Sequence, residues 1–436
     1  MTTVITEKMT FTDEGFQSLV SSLKEPAWLT EQRKQAWAKF NELAWPSSKD
    51  EEWMRTDIRM FKLDNFAFSN QPVAAQAANV LADGVDVAAS MTFNGGTATV
   101  SKPLDQKWID KGVIFGSLAE LVNEHSDLIE KYINKLVDPN IDRFSALHAA
   151  TWTGGTFLYV PRNVVVDQPI HTSALLGDGG CDFGHTLIIL EEGAEATVLA
   201  EMASASEDAS GLHCGGIELY VGDRANLRYV NLQDWNQKVW HFAHQKGTVG
   251  QDANLQWTVG ALGSRLAKVN QHVSLTGEGA NSQVNGVMFT ERKQHLSYHT
   301  LQQHHAPTCI SDFLYKSALQ DSSRTVWRGM IKVDVDAQKT DGFQRNDNLL
   351  LSAKARADSI PGLEIEADDV RCTHGSTSGR VDEELIFYAM ARGFTRKEAV
   401  RAIVIGFFQQ VFDRITIESV RDALGDAIAR RVRDYE

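Results

Sequence analysis

The chain has 436 residues, 43% of them hydrophobic and 23% charged, which is an ordinary globular composition. The formal net charge of −14 argues against nucleic acid or an anionic membrane as a main partner. No stretch approaches the roughly 18 apolar residues of a membrane span. Segment 1–14 lacks the pattern of a secretory signal, and the four cysteines are widely spaced, so we expect a cytoplasmic protein.

The amino-terminal segment predicts helices. Thr30 is a plausible N-cap, the following apolar residues up to Leu43 fall on one helical face, and Pro46 ends the run. We therefore expect a helical domain at 1–70, joined to the rest by a mixed connecting segment at 71–144.

A short pattern in which glycine precedes alanine by three positions recurs about every 28 residues through the middle of the chain. Its copies are Gly193-Ala194-Glu195-Ala196, Gly222-Asp223-Arg224-Ala225, Gly250-Gln251-Asp252-Ala253 and Gly277-Glu278-Gly279-Ala280. Strand-like runs rich in β-branched and aromatic residues lie between them. The repeat predicts a β-solenoid over 145–370, with glycine supplying positive φ at the corners. Hairpins in an ordinary all-β domain are the alternative.

The carboxyl-terminal segment 371–436 predicts a helical domain. One helix covers Asp382 to Arg392 and stops at Gly393, and a capping box at Thr395 and Glu398 opens a longer one. We expect these helices to cap the open end of the solenoid. Their apolar stripe can be core or a docking surface for a partner.

The sequence contains no P-loop, no Gly-x-Ser-x-Gly elbow and no His-Glu-x-x-His helix, so it offers no ready-made active site. One group of candidate metal ligands lies within segment 295–309 and comprises His295, His299, His304, His305 and Cys309. If this segment is a strand, His295 and His299 are about 13 Å apart and cannot share one metal. Polar surface histidines are the alternative interpretation.

The second group of candidate ligands is Cys372 and His374. Two residues apart on a strand, their side chains point to the same side and form a possible two-ligand half-site that a partner chain would complete. A buried thiol beside a hydrogen-bonded histidine is the simpler interpretation.

The segment from Leu363 to Glu384, which contains Cys372-Thr373-His374-Gly375, resembles the signature of the SufB/SufD family. Lys339-Thr340-Asp341-Gly342 and Gly154-Gly155-Thr156-Phe157 match the same pattern, and the resemblance extends over roughly residues 30–415. Asn346 stands where the SufB branch carries a cysteine, so the chain is more similar to the other branch.

The resemblance implies a right-handed parallel β-helix with helical domains at both ends, acting as a non-enzymatic scaffold for iron–sulfur cluster assembly. It implies pairing with SufB through the solenoid ends, and a SufC ATPase subunit held by the carboxyl-terminal helices. The residues expected on the SufC side are Phe387, Tyr388, Arg392, Phe407 and Phe408.

The resemblance also places His374 opposite a SufB cysteine, where a transient iron–sulfur cluster forms, with Cys372 as an alternative ligand. Flavin is associated with the assembled complex, but this sequence shows no flavin motif, and a homodimer of the isolated chain stays open. Two rival functions remain: a β-helix enzyme acting on polysaccharide, and a free-standing metal-binding protein that uses segment 295–309.

Overall fold

The computed structural model describes residues 9–68 and 80–433. The predicted domain boundary between residues 70 and 71 lies outside these residues. Most of segment 1–14, which was predicted to lack a secretory signal, also lies outside them. Among the helices described, none combines the length and apolarity needed to cross a membrane.

Strands dominate the described residues and form two sheets of ten strands. The first sheet contains β1 (Ala89–Asn94), β2 (Thr97–Lys102), β5 (Ile170–Leu176), β8 (Glu195–Ser204), β10 (Asn226–Asp234), β12 (Asn254–Ala261), β14 (Asn281–Thr290), β16 (Ile310–Leu319), β18 (Asp341–Leu350) and β20 (Arg371–Arg380). The second contains β3 (Ile114–Ser117), β4 (Thr156–Val160), β6 (Gly180–Asp182), β7 (His185–Leu190), β9 (Ser210–Val221), β11 (Lys238–Val249), β13 (Leu266–Leu275), β15 (His295–His304), β17 (Arg324–Val333) and β19 (Arg356–Ile365).

From β8 onward the chain alternates between the two sheets, and each strand pairs in parallel with the strand two places along. This is a parallel β-solenoid, so the predicted mainly β fold with helices at both ends is confirmed, and the hairpin alternative is wrong. The right-handed sense of the coil stays a prediction. The stack continues through β20, beyond position 370 where the sequence placed its end.

Helices flank the strands at both ends of the chain. They are α1 (Asp13–Ser22), α2 (Ala27–Glu42), α3 (Gln106–Ile109), α4 (Leu118–Glu124), α5 (Ser126–Ile129), α6 (Arg143–Thr151), α7 (Glu383–Met390), α8 (Arg396–Phe412) and α9 (Glu418–Arg431), with a 3₁₀ turn at Leu63–Asn65. The predicted N-cap Thr30 is wrong, because α2 begins after Pro26 and Thr30 lies inside it. The capping box of Thr395 and Glu398 is confirmed at the start of α8.

The alanines of the repeat pack fully buried at successive corners of the solenoid. Strand register aligns Ala225 with Ala194. In the first copy of the repeat the corner alanine is therefore Ala194, two residues before the predicted Ala196. Positive φ falls on the residue before each alanine: Gly193, Arg224, Asp252 and Gly279.

The glycines at 222, 250 and 277 therefore serve a different purpose from the predicted one. A Cβ on Gly277 would lie 2.0 Å from the backbone nitrogen of Gln251 in the previous turn, and one on Gly222 would lie 2.8 Å from the Leu190 carbonyl oxygen. These positions need glycine because neighbouring turns stack too closely for a side chain.

The amino-terminal helices pack on the outer face of the second sheet. Phe144 of α6 stacks on Phe242 of β11 with ring centroids 3.8 Å apart, inside a cluster that also contains Trp53. Lys268 of β13 is buried beneath this layer, with Nζ 5.5 Å from the Trp53 ring centroid and 3.1 Å from Asn270 Oδ1. Its burial lowers the Lys268 pKa to about 7.

The carboxyl-terminal helices α8 and α9 pack on the outer face of the first sheet, not on the end of the solenoid. Their buried Val404, Phe408 and Leu424 join one cluster with Val230 and Phe289 from the sheet. The prediction that these helices cap the solenoid is wrong, because a lateral sheet face already offers a large apolar area. No helix within 9–68 and 80–433 covers the last turn, which β19 and β20 form.

Candidate functional site

The exposed last turn presents two strand edges. Among the described strands, β19 pairs with β17 alone, and β20 pairs with β18 alone. The Arg371 N–H donates to the Thr340 carbonyl of the preceding connection, so in this parallel pairing the odd-numbered residues of β20 face β18. The N–H and C=O groups of Cys372, His374, Ser376 and Ser378 therefore point away from the stack. Such an edge is a template for pairing with another chain.

Cys372 lies on the inward face of β20 at this open end. Its Sγ sits over Gly342 of β18, where a Cβ would come within 3.2 Å, and beside a small apolar cluster that includes Ile331 and Val333. Burial raises the pKa of the Cys372 thiol, the Gly342 backbone opposes this shift, and Asp341 adds to it. The thiol is therefore protonated at neutral pH, and a metal would have to displace that proton to bind.

His374 follows Cys372 on the same face of the strand and is exposed. In the strand register it is opposite Gln344 of β18. The structure thus brings together the predicted pair Cys372 and His374 on one accessible face. Among the residues that the structure describes, no three His, Cys, Asp or Glu side chains lie close enough to hold a metal ion. A metal held by this pair would need further ligands from elsewhere.

Side chains on β18 hold β20 in place. Arg371 pairs with Asp341 at the start of the strand. Thr377 Oγ1 donates to Asp347 Oδ1 over 2.6 Å further along, and Asp347 is buried. These contacts fix the register, and with it the position of the two candidate ligands between them.

The histidine-rich segment does not converge on one point. His304 lies inside the solenoid and shares a 2.8 Å hydrogen bond with Ser311, whereas His305 pairs with Asp334 at the surface. Cys309 is buried and its thiol donates to the Gly277 carbonyl.

His295 and His299 share one face of β15, as the strand interpretation predicted, and this is the outer face. Burial lowers the pKa of His295 to about 4 and that of His299 to about 2, so both rings are neutral. His295 shares a hydrogen bond with Thr56 of the amino-terminal layer. The geometry therefore favours the interpretation of these residues as ordinary polar contacts.

A second exposed feature is the apolar face of α7 and the turn after it. Its large apolar side chains are exposed by 44% to 74% and comprise Leu385, Phe387, Tyr388, Met390 and Phe394. The Arg392 guanidinium lies 4.3 Å from the centroid of the Tyr388 ring. A contiguous exposed apolar group of this kind is typical of a protein-binding surface.

The two phenylalanines of α8 differ from this surface. Phe408 is fully buried in the cluster between α8 and the first sheet, so its side chain is part of the core instead of the exposed surface predicted for it. Phe407 is half-buried, and Lys316 Nζ lies 4.8 Å from its ring centroid. An unbroken apolar stripe on a helix does not separate core from surface, which explains the error.

Comparison with known protein families accounts for nearly all of the chain. The model described as "SUF system FeS cluster assembly, SufBD core domain" matches residues 174–407, and "SufBD protein N-terminal region" matches residues 15–172. This chain belongs to the SufBD family. Relatives of the chain within this family are described as iron–sulfur cluster assembly proteins.

Individual relatives agree with this family. The iron–sulfur cluster assembly protein SufD of Bacillus subtilis is 28% identical over 432 residues, covering 98% of this chain and 99% of the relative. A SufBD family protein of Staphylococcus saprophyticus is 30% identical over 319 residues, covering 72% of this chain and 68% of the relative.

Sequence reasoning missed the residues beneath the site. Gln344, Asn346 and Asn348 line the inward face of β18 and are buried. Asn346 Nδ2 donates to the Tyr315 carbonyl, and Asn346 Oδ1 accepts from Asn348 Nδ2, so side-chain amides form a small network at this position. The unbroken polar run at 344–348, which places polar side chains on both faces of the strand, was the signal that could have indicated a polar solenoid interior.

Proposed function

We propose that this chain is a SufD-type scaffold subunit that presents one half of an iron–sulfur cluster assembly site at the open end of its solenoid. The observation that carries the proposal is the position of Cys372 and His374 on an uncovered terminal strand in a member of this family. Scaffolds of this kind need accessible ligands and an incomplete ligand set, and the last turn offers both.

Pairing with a SufB-type partner would use the free edges of β19 and β20. A second solenoid of similar cross-section can add its own terminal strands to these edges, with main-chain hydrogen bonds supplying affinity. Such pairing would bury the face that carries His374. It would also bring partner side chains to the site, including the cysteine that this chain lacks at Asn346.

In the assembled pair, His374 would supply a neutral imidazole nitrogen to iron, which is the cargo of the reaction. Imidazole and thiolate are suitable ligands for iron in such sites. Cys372 would serve as a second ligand or would contact a ligand. Its raised pKa keeps it as a thiol, so it would bind iron only if the metal displaces the thiol proton. The remaining ligands would come from the partner.

The apolar face of α7 would bind a SufC-type ATPase subunit. Phe387 and Tyr388 are aromatic anchors of the kind that dominate protein interfaces, and Arg392 lies beside them. ATP hydrolysis would belong to that partner, and nucleotide binding there would favour one arrangement of the complex over another. The chain would act in the cytoplasm without catalysing a reaction itself.

The experiment that tests this function replaces His374 with alanine. The variant is co-expressed with its SufB and SufC partners under anaerobic conditions, and iron and acid-labile sulfide are measured per purified complex. We expect the complex to form and the cluster to be lost. The matched control is Thr373→Ala, a neighbouring exposed residue on the opposite face of the same strand, which should retain the cluster. An unchanged cluster content in His374→Ala removes this residue from the role.

A further inference from the structure

We propose that Gln344 is a positioning residue for His374, holding the imidazole in one tautomer with a defined nitrogen free to bind. The inference extends the proposed function, on which it rests for the role of His374 as a ligand. It is carried by a buried, unpartnered amide oxygen on the residue that the strand register places opposite the histidine.

Gln344 crosses the interior of the solenoid from one sheet to the other. It belongs to β18 of the first sheet, and its Nε2 donates to the carbonyl of Gly362 on β19 over 2.9 Å and, less closely, to that of Gly329 on β17. The side chain is fully buried. Two carbonyl acceptors settle which end of the amide is nitrogen, since a flipped amide would set oxygen against oxygen.

The other end of this amide has no partner. Gln344 Oε1 is buried and accepts no hydrogen bond from the residues that the structure describes. A Cβ on Gly329 would lie only 2.4 Å from this oxygen, so the absence of a side chain at position 329 makes room for it. A buried acceptor left unpaired is unfavourable, so a donor brought to this oxygen would stabilise the side chain in its place.

His374 is the neighbour able to supply that donor. It is the register partner of Gln344 on the adjacent strand, and both residues point to the inward face. Adjacent strands are separated by about 4.8 Å, so two inward side chains in register are neighbours, and a ring N–H turned toward the preceding strand would donate to the amide oxygen. His374 is exposed and makes no hydrogen bond within 9–68 and 80–433, so its side chain can rotate into this contact.

The consequence of the contact is chemical. A neutral imidazole carries one proton, and the nitrogen that donates to Gln344 leaves the other with a lone pair. Metal-binding histidines are commonly fixed in this way, with the second nitrogen donating to an oxygen acceptor. Gln344 would thus direct one nitrogen toward the partner subunit and prevent the ring from presenting an N–H to iron.

The test measures the tautomer of His374 by ¹⁵N NMR of histidine-labelled full-length chain at pH 8, with the His374→Gln variant used to assign the signal. In the wild type we expect one tautomer to dominate, unlike in a peptide of residues 370–378. In Gln344→Met the tautomer ratio should change by about 2- to 12-fold, the effect of losing one ordinary hydrogen bond. The matched control is Gln302→Met, another buried inward glutamine without partners, on β15, which should leave the ratio unchanged.

Two results would overturn the inference. One is a wild-type ratio equal to that of the peptide, a measurement that needs no variant to fold. The other is an unchanged ratio in folded Gln344→Met. Failure of the proposed function is distinguishable, because it appears as a retained cluster in His374→Ala whatever the tautomer. A dominant tautomer in the wild type, lost only in Gln344→Met, supports the positioning role.

Discussion

Replacing Lys268 with methionine should stabilise the protein at acidic and neutral pH. Lys268 is buried under Trp53, and burial lowers its pKa from 10.5 to about 7 although Glu52 and Asp142 oppose this and Arg328 adds to it. In the unfolded chain the same amine stays protonated up to about pH 10. Folding therefore releases a proton between pH 7 and 10, and the free energy of unfolding rises with pH in this window.

The magnitude follows from the shift. One pKa unit corresponds to about 1.4 kcal/mol, so the lowered pKa of Lys268 costs about 4 to 5 kcal/mol below pH 7, where the buried amine is charged. Methionine has a similar length and no charge, but it loses the hydrogen bond to Asn270, worth about 1 to 2 kcal/mol. We expect Lys268→Met to gain about 2 to 4 kcal/mol at pH 6, and to lose this advantage toward pH 10.

The assay is urea unfolding followed by tryptophan fluorescence at pH values from 6 to 9.5. Lys332→Met is the control, since Lys332 lies on the same sheet, pairs with Glu364 over 2.6 Å and has a raised pKa. That variant should show no stabilisation at pH 6 and the wild-type dependence on pH. Two results would contradict this reasoning. One is a lower free energy of unfolding for Lys268→Met than for the wild type at pH 6, and the other is an unchanged dependence of that free energy on pH above pH 7.

Three further variants test the two exposed surfaces and the core. Phe387→Ala should reduce retention of an ABC-type ATPase partner in a pull-down by about ten-fold or more, as loss of an aromatic anchor does, whereas the equally exposed Met60→Ala should retain it. Ser376→Pro removes an N–H from the open edge without touching the pairing to β18, so by size-exclusion chromatography it should abolish association with a SufB-type partner, while Ser376→Ala should still associate. Phe408→Ala should lower the free energy of unfolding by about 3 to 5 kcal/mol in chemical denaturation, and a loss below about 1 kcal/mol would contradict its place in the core.

The solenoid could be predicted from the sequence because its physical cause repeats. Each corner buries an alanine, and each close approach between turns excludes a side chain, as at Gly222 and Gly277. Three glycines were misjudged. The positive φ assigned to Gly222, Gly250 and Gly277 falls two residues later, since the sequence alone does not separate a glycine needed for its φ from one needed for its lack of a Cβ.

The site was predicted only in part. Spacing placed Cys372 and His374 on one face of a strand, which the register confirms. Their exposure depends on where α8 packs, which the sequence does not determine. An apolar stripe on a helix can cover the end of a solenoid or the outer face of one of its sheets. For the same reason Phe408 was assigned to a surface. The contact partners of Gln344 lie on two other strands, and no local pattern indicates them.

The short connection between β20 and α7 has a mechanical consequence. The strand ends at Arg380 and the helix begins at Glu383, so two residues join them and span no more than about 7 Å. Val381 is buried in the cluster with α8, which anchors this joint to the body of the molecule. The start of α7 is therefore held at a fixed distance from the end of the terminal strand. A protein bound to this helix would therefore sit at a defined position relative to the strand that carries His374.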